Sequence, residues 1–315
     1  MTSRRKSVSF IIPAYNCAGT IRDAVRSILQ GNLRPGDEIL VIDDCSTDNT
    51  PRVLEALRQQ HEEIHLLRHS HNRGTAAAGR NTGIEGATND LLFCLDADNV
   101  LAPGSIDPLI RRMEATVADV AAFGEIHFFR TKVDKITHKW IFRADISLAD
   151  ALAGFVWPGP GGNYLFTRAS WERAGRYYEP FLENRSLDSW TFGIRQLATG
   201  SKMVTEPHSW YFHRYGHESH YMLNWKRGNQ SLAGLIGLIP IMDQIVEEDV
   251  EYILGKDGRG RWYEGLRDHP LRLRNGVHGE DGAIEYLPLY KQEQRRQQVT
   301  SLVKKIRSRV RGRGS

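Results

Sequence analysis

Short apolar runs alternate with amphipathic stretches along the first hundred residues. The runs Val8–Pro13, Glu38–Ile42, Ile64–Leu67 and Leu91–Leu95 begin 26 to 30 residues apart and read as buried strands. Between the first two, Ile21, Ala24, Val25, Ile28 and Leu29 share a helical face that Thr20 can cap and Gly31 can close. A second helix, carrying Val53, Leu54 and Leu57, can be capped by Ser46 or Asp48. This rhythm predicts an α/β fold with a largely parallel sheet. Each run also ends in polar residues: Tyr15-Asn16, Asp43-Asp44, Asn72-Arg73-Gly74, and Asp96-Ala97-Asp98. Ligands of open parallel sheets bind in the crevice outside the carboxyl ends of the strands, so the four clusters are expected to converge on one site.

The chemistry is sharpest at the fourth run. Two carboxylates one residue apart at the mouth of a buried strand repel each other unless a metal, a cationic side chain or a raised pKa intervenes. Asp43-Asp44 alone reads as a solvated turn into a helix. Gly74–Gly79 has the spacing that opens a phosphate-binding P-loop, but Arg80-Asn81 stands where Lys-Ser/Thr is required, and no dinucleotide-binding GxGxxG follows the first strand.

Ile12-Pro13-Ala14-Tyr15-Asn16, Val41–Asp48, Asn72-Arg73-Gly74 with Ala78–Gly83, and Leu95-Asp96-Ala97-Asp98 resemble, in order and spacing, the family 2 glycosyltransferases of the GT-A fold. The likeness covers roughly the first hundred residues, with partial matches to about residue 220. It implies a Rossmann-like, mostly parallel sheet flanked by helices and a nucleotide-diphosphate sugar donor, uridine being the nucleotide the family uses most. Tyr15 would pack near the base, Asp44 would hydrogen-bond it, and Arg80 would lie near base or phosphate. Asp96 would face the ribose and Asp98 would ligate a divalent cation, Mn²⁺ or Mg²⁺, while Pro13, Asn16, Asp43, Asn72, Gly74 and Ala97 complete the donor-binding set.

The resemblance extends to the middle of the chain. Within Gly154–Phe166 it sets Trp157, Gly161, Gly162 and Asn163 against donor sugar or acceptor, although Pro and Gly there also suit a plain tight turn. Asp188 starts a stretch with Trp190, Ile194 and Leu197 at helical spacing, where an N-cap is the simple reading. The resemblance makes it the general base. Leu187 stands where the family carries Glu, and Glu183 is the substitute candidate. In Trp210–His220, His213 beside Arg214 is the first candidate to complete the metal shell and His217 the second; a structural or phosphate-contacting histidine is the other reading.

Composition adds an appendage to this plan. With 315 residues and 40% hydrophobic content the chain suits a catalytic domain over 1–225, divided into a nucleotide-binding half (1–100) and an acceptor half (101–225), followed by a helical C-terminal extension (226–290). Leu232–Val246, broken by Gly234, Gly237, Pro240 and Asp243, reads as a helix covering the core rather than a membrane span, which needs about 18 apolar residues. Cys17, Cys45 and Cys94 lack metal-site spacing and read as reduced thiols of a cytoplasmic protein. Residues 291–315 hold nine Lys or Arg against one Glu, a local +8 within a total of +4, which leaves −4 for the body. With Val299, Leu302, Val303, Ile306 and Val310 on one face, this tail suits peripheral contact with an anionic membrane at its inner face, or a solvated tail. Nucleic acid is disfavoured by the acidic body and the missing motifs.

The resulting expectation is an inverting, metal-dependent transfer of a sugar to a hydroxyl of a saccharide or lipid-linked acceptor, as in cell-surface polysaccharide or glycolipid synthesis. The rivals are a haloacid-dehalogenase-like phosphatase using Asp96 as nucleophile, in which the acid pair ends the first strand rather than the fourth, and a non-catalytic nucleotide-sugar-binding scaffold.

Overall fold

The computed structural model describes residues 5–154, 157–158, 162–179, 188–216, 230–258, 260–279 and 284–286. Its first half runs β1 (Val8–Ala14), α1 (Ile21–Leu29), β2 (Glu38–Asp43), α2 (Thr50–Arg58), β3 (Ile64–Arg68), α3 (Ala76–Gly86) and β4 (Leu91–Cys94). The four strands are mutually parallel in the order β4–β1–β2–β3, as the alternating pattern predicts.

Local chemistry sets the helix starts. Thr20 does not cap α1 with its side chain; its hydroxyl donates to the Cys17 carbonyl at 3.3 Å. Asp48, not Ser46, serves α2, with Oδ1 accepting from the Thr50 amide at 2.8 Å. Ser46 instead accepts from the Asn16 amide at 3.0 Å. α3 is capped by Thr75 through the Ala77 amide. It lies unusually close to β1, because a Cβ on Gly79 would sit 2.9 Å from the Pro13 Cβ and one on Gly83 2.5 Å from the Ile11 Cγ2. Those two glycines bring Arg80 and Asn81 down to the strand ends.

Beyond β4 come β5 (Val100–Leu101), α4 (Ile106–Thr116), β6 (Val120–Phe129), β7 (Ile136–Phe142), α5 (Leu148–Leu152), β8 (Leu165–Thr167), α6 (Arg168–Arg173), α7 (Asp188–Ala198) and β9 (Met203–Arg214). Here the sheet becomes mixed: β8 pairs antiparallel with β4 and β6, β7 antiparallel with β6, and β9 parallel with β6. The change follows from the connections. β6 and β7 are joined by a short turn rather than a crossover helix, and a direct hairpin forces antiparallel pairing.

The C-terminal elements are α8 (Gln230–Leu238), a 3₁₀ turn (Ile239–Gln244), α9 (Glu247–Leu254) and β10 (Ile284–Tyr286), the last on the edge of β7. The helix expected over 232–246 therefore stops at Leu238 and tightens, since Pro240 cannot supply the amide a continuing α-helix needs. Leu238, Ile241, Ile245, Ile253 and Trp262 bury against Leu152, Trp190 and Ile194, covering α5 and α7. Among the described residues no helix is long and apolar enough to cross a membrane.

Candidate functional site

β4 carries Leu95 into the core and releases Asp96 at the strand end. Its Oδ1 accepts from Arg80 Nη2 at 2.6 Å, and its Oδ2 from Asn163 Nδ2 at 3.1 Å and Asn99 Nδ2 at 3.3 Å. The Asp96 amide donates in return to Asn163 Oδ1 at 2.8 Å. Arg80 reaches the other way through Nη1 to Asp188 Oδ2, at the first residue of α7. One guanidinium, 3% exposed, thus joins the end of β4 to the start of α7. Tyr177 packs beneath it, 5.3 Å from ring centroid to Cζ, and is itself pinned by Asn81 through its amide and carbonyl.

The electrostatics explain why Asp96 tolerates its neighbour Asp98. Burial pushes the Asp96 carboxyl pKa above the ordinary range, Arg80 opposes, and the like charge of Asp98 adds to the rise. Burial also works against the Arg80 charge, but Asp188 and Asp96 outweigh it and hold the guanidinium firmly protonated. Of the three remedies for a carboxylate pair, the fold supplies a cationic side chain to Asp96. Arg80 Nε is buried without a partner among the described residues, a loss of about 1–3 kcal/mol that ordinary cores avoid.

Asp188 does not act as an ordinary cap, since its Oδ1 accepts from the adjacent Ser189 amide at 2.9 Å. Gly162, at φ +78°, has no room for a side chain, since a Cβ there would lie 2.5 Å from Ser189 Oγ. Asn163 beside it is fully buried and serves Asp96. Trp157 stands edge-on to Trp140 at 5.4 Å, on the margin of the C-terminal cluster. Gly161, Glu183, His217 and residues 291–315 lie outside the described residues.

At the ends of β1, β2 and β3 the backbone is shaped by side chains. Asn16, at φ +47°, accepts from the amides of Thr47 (2.8 Å) and Asp48 (3.2 Å), and Cys45 is also left-handed at φ +59°. Asp43 accepts from the Ser46 amide at 2.9 Å and faces Arg68. Asp44 is buried and accepts from His69 Nδ1 at 2.6 Å and from the Arg73 amide. Asn72 turns the chain into α3 by accepting from the Gly74 amide at 2.6 Å, with Gly74 at φ +74°. Pro13 packs on Gly79, Ala97 packs partly buried on the main core, and Tyr15 is 49% exposed beside these groups.

β9 runs alongside the Asp98 segment. Arg214 donates from its amide to Asn99 Oδ1 at 3.0 Å and from Nε to the Asp98 carbonyl at 3.2 Å. His213, 3.3 Å from the Tyr211 hydroxyl, lies near enough to favour the Asp96 charge. Among the described residues no group of three His, Cys, Asp or Glu is arranged to hold a metal ion. Both Asp96 oxygens accept hydrogen bonds, and of the ligands expected from the sequence Asp98 and His213 are described. Such a sparse oxygen-and-imidazole set fits a hard cation that takes its remaining ligands from phosphate and water.

Asn99, His69, Tyr177 and Arg214 were not singled out from sequence as members of the site. Asn99 directly follows the acid pair, whereas His69 is one of several histidines beyond β3 and nothing local distinguishes it. Cys17 and Cys94 carry thiols pushed up to about 12, first by burial, and are poor nucleophiles.

Comparison with known proteins follows the same outline. Residues 9–204 match the family model described as glycosyl transferase family 2. TuaG of Bacillus subtilis (strain 168), a putative teichuronic acid biosynthesis glycosyltransferase, is 37% identical over 99 residues, 31% of this chain and 38% of that protein. The match thus spans 32–38% of the length of three such curated relatives. Among solved structures, Staphylococcus aureus TarS 1–349 in complex with UDP-GlcNAc aligns with a TM-score of 0.60 at 16% identity, over 81% of this chain and 72% of that one. Mannosyltransferase PcManGT from Pyrobaculum calidifontis, in complex with GDP-Man and Mn²⁺, aligns with a TM-score of 0.58 at 17% identity, over 84% and 74%. At these identities the structures share the fold. The family model covers most of the chain, including every strand-end cluster from Asn16 to Asp98, and the chain belongs to glycosyltransferase family 2.

Proposed function

We propose that this protein is an inverting glycosyltransferase that moves a sugar from a nucleoside-diphosphate donor to a hydroxyl of a saccharide or lipid-linked acceptor, in the synthesis of a cell-surface polysaccharide or glycolipid. One observation carries the reading: Arg80 ties the strand-end acid Asp96 to the helix-start acid Asp188, groups 92 residues apart in sequence. The acid pair of a haloacid-dehalogenase-type phosphatase ends the first strand, whereas Asp96 follows the fourth, which speaks against Asp96 as a phosphatase nucleophile. Relatives named for polysaccharide synthesis and a fold neighbour bound to UDP-GlcNAc support the same class.

In this reading Asp96, fixed by Arg80, Asn163 and Asn99, orients the donor ribose. Asp188 accepts the proton of the acceptor hydroxyl, which attacks the anomeric carbon from the face opposite the leaving nucleotide, a single displacement that inverts configuration. Arg80 holds Asp188 in position through the Nη1–Oδ2 ion pair. Asp98 and His213 would hold a divalent cation, which would supply Lewis-acid neutralisation of the diphosphate charge. The first hundred residues bind the donor, and the segments up to about residue 225 frame the acceptor.

Asp188→Asn retains size while removing basicity. It is expected to slow transfer by at least about 10²-fold with donor affinity unchanged, whereas Asp98→Ala loses Mn²⁺-dependent donor binding in calorimetry. Wild-type turnover by Asp188→Asn would move the base to Glu183. Release of phosphate from monoesters, without sugar transfer, would overturn the class.

A further inference from the structure

We infer that His69 is a specificity residue: by occupying Oδ1 of Asp44 it leaves a single carboxylate oxygen for the nucleobase and so selects uracil over guanine. The inference rests on the reading that Asp44 meets the base, and it addresses a choice the fold leaves open, because family members of this architecture need a base contact but the sheet itself does not dictate which.

The geometry is closed on three sides. Asp44 leaves the end of β2 with its amide bonded to the Ala14 carbonyl at 2.8 Å, so its position is fixed to β1. His69 leaves the end of β3 with its amide bonded to the Asp43 carbonyl at 3.0 Å. Its ring bridges Asp44 Oδ1, 2.6 Å from Nδ1, and Thr82 Oγ1 on α3, 2.9 Å from Nε2. An ionised carboxylate only accepts, so Nδ1 carries the hydrogen; in a neutral ring Nε2 is then the acceptor and the Thr82 hydroxyl donates to it. The Arg73 amide adds a second donor to Oδ1 at 2.9 Å and reaches Oδ2 at 3.1 Å. Oδ1 is saturated, and the capacity left for a ligand resides on Oδ2.

That single acceptor has a chemical preference. Uracil offers one ring N–H between two carbonyls, which matches one oxygen. Guanine offers a ring N–H and an adjacent amino group, which together match both oxygens of a carboxylate and would leave one donor unpaired against the saturated Oδ1. Cytosine and adenine present an unprotonated ring nitrogen, an acceptor facing an acceptor. A buried donor without a partner costs enough to shift affinity by about tenfold or more.

The test is nucleotide binding by the full chain in MnCl₂, read by calorimetry with UDP, GDP and CDP. Wild type is expected to bind UDP at least about tenfold tighter than GDP, with CDP weakest. His69→Ala opens Oδ1 and should bring the UDP-to-GDP ratio to within about threefold, mainly by improving GDP. His69→Asn keeps a donor near the Nδ1 position and should restore the preference, which loss of packing alone would not produce. Thr82→Val, which removes the hydroxyl that orients the ring, should relax the ratio partway and serves if His69→Ala does not fold. An unchanged ratio in both His69→Ala and Thr82→Val, or wild-type preference for GDP, overturns the assignment. The parent reading fails separately: Asp44→Ala binding all three nucleotides as wild type does would remove Asp44 from the base site.

Discussion

Glu38 opens β2 with its carboxylate held by the Ser9 hydroxyl and by the amide and hydroxyl of Thr88, the latter two at 2.7 Å. Burial pushes its pKa up, but these hydrogen bonds outweigh it and the net shift is downward. A carboxyl with a depressed folded pKa stabilises fully above its unfolded value near 4.5, and the contribution is lost as pH falls through the folded pKa. Glu38→Gln should therefore lower stability at pH 7 by about 1–3 kcal/mol, with the gap to wild type closing in acid. A gap constant down to pH 3 would mean that packing, not charge, is responsible. At this scale the sequence exposes residues whose type is anomalous for their surroundings. Asp96 and Asp98 stand out because carboxylates end an apolar run. His69 does not, because its meaning comes from a partner 25 residues away, and Asn163, which the resemblance picked out, takes its role beside Asp96 from 67 residues away.

Hydrophobic period identifies an element when one face is buried and the other wet, as in α1, where Ile21, Ala24, Val25 and Ile28 line the inner face. It fails for α3, which buries Ala77, Ala78, Gly79, Arg80, Asn81, Gly83 and Ile84 together and shows little amphipathic pattern; there the motif resemblance, not periodicity, located the segment. It also fails for the second half of the sheet. Strand direction after β4 depends on which connections are hairpins, and the register break of β6 against β9 depends on Gly124 admitting Pro207, where a Cβ would lie 2.5 Å from that residue's Cα. The tight seat of α3 makes its own prediction. Gly83→Ala would place a methyl 2.5 Å from Ile11 Cγ2 and 2.6 Å from Ile42 Cδ1, and overpacking of this kind costs about 1–3 kcal/mol. A thermal midpoint equal to wild type would show that the helix can back away from β1.

For the molecule as a whole, charge is divided between an acidic body and the +8 of residues 291–315. We propose that this segment is a peripheral anchor, since basic residues near an anionic bilayer contribute about 1 kcal/mol each and the attraction fades with salt. Co-sedimentation with anionic vesicles should be salt-sensitive for the full chain and lost by a version ending at Tyr290; equal binding by both would sink the idea. The order of synthesis gives the sheet a different constraint. β4 is paired with β1 on one side as soon as the first hundred residues exist, but its other neighbour, β8, lies at Leu165–Thr167, with Leu91 opposite Thr167 and Phe93 opposite Leu165. Until that later segment emerges, the outer edge of Leu91–Cys94, a strand entirely buried in the finished protein, has open backbone donors and acceptors and an apolar face on each side. Such an edge invites pairing with any other extended chain. A truncated product ending between residues 101 and 165 would therefore carry the first four strands in a sheet with one apolar edge left open, and is expected to aggregate where the full chain does not.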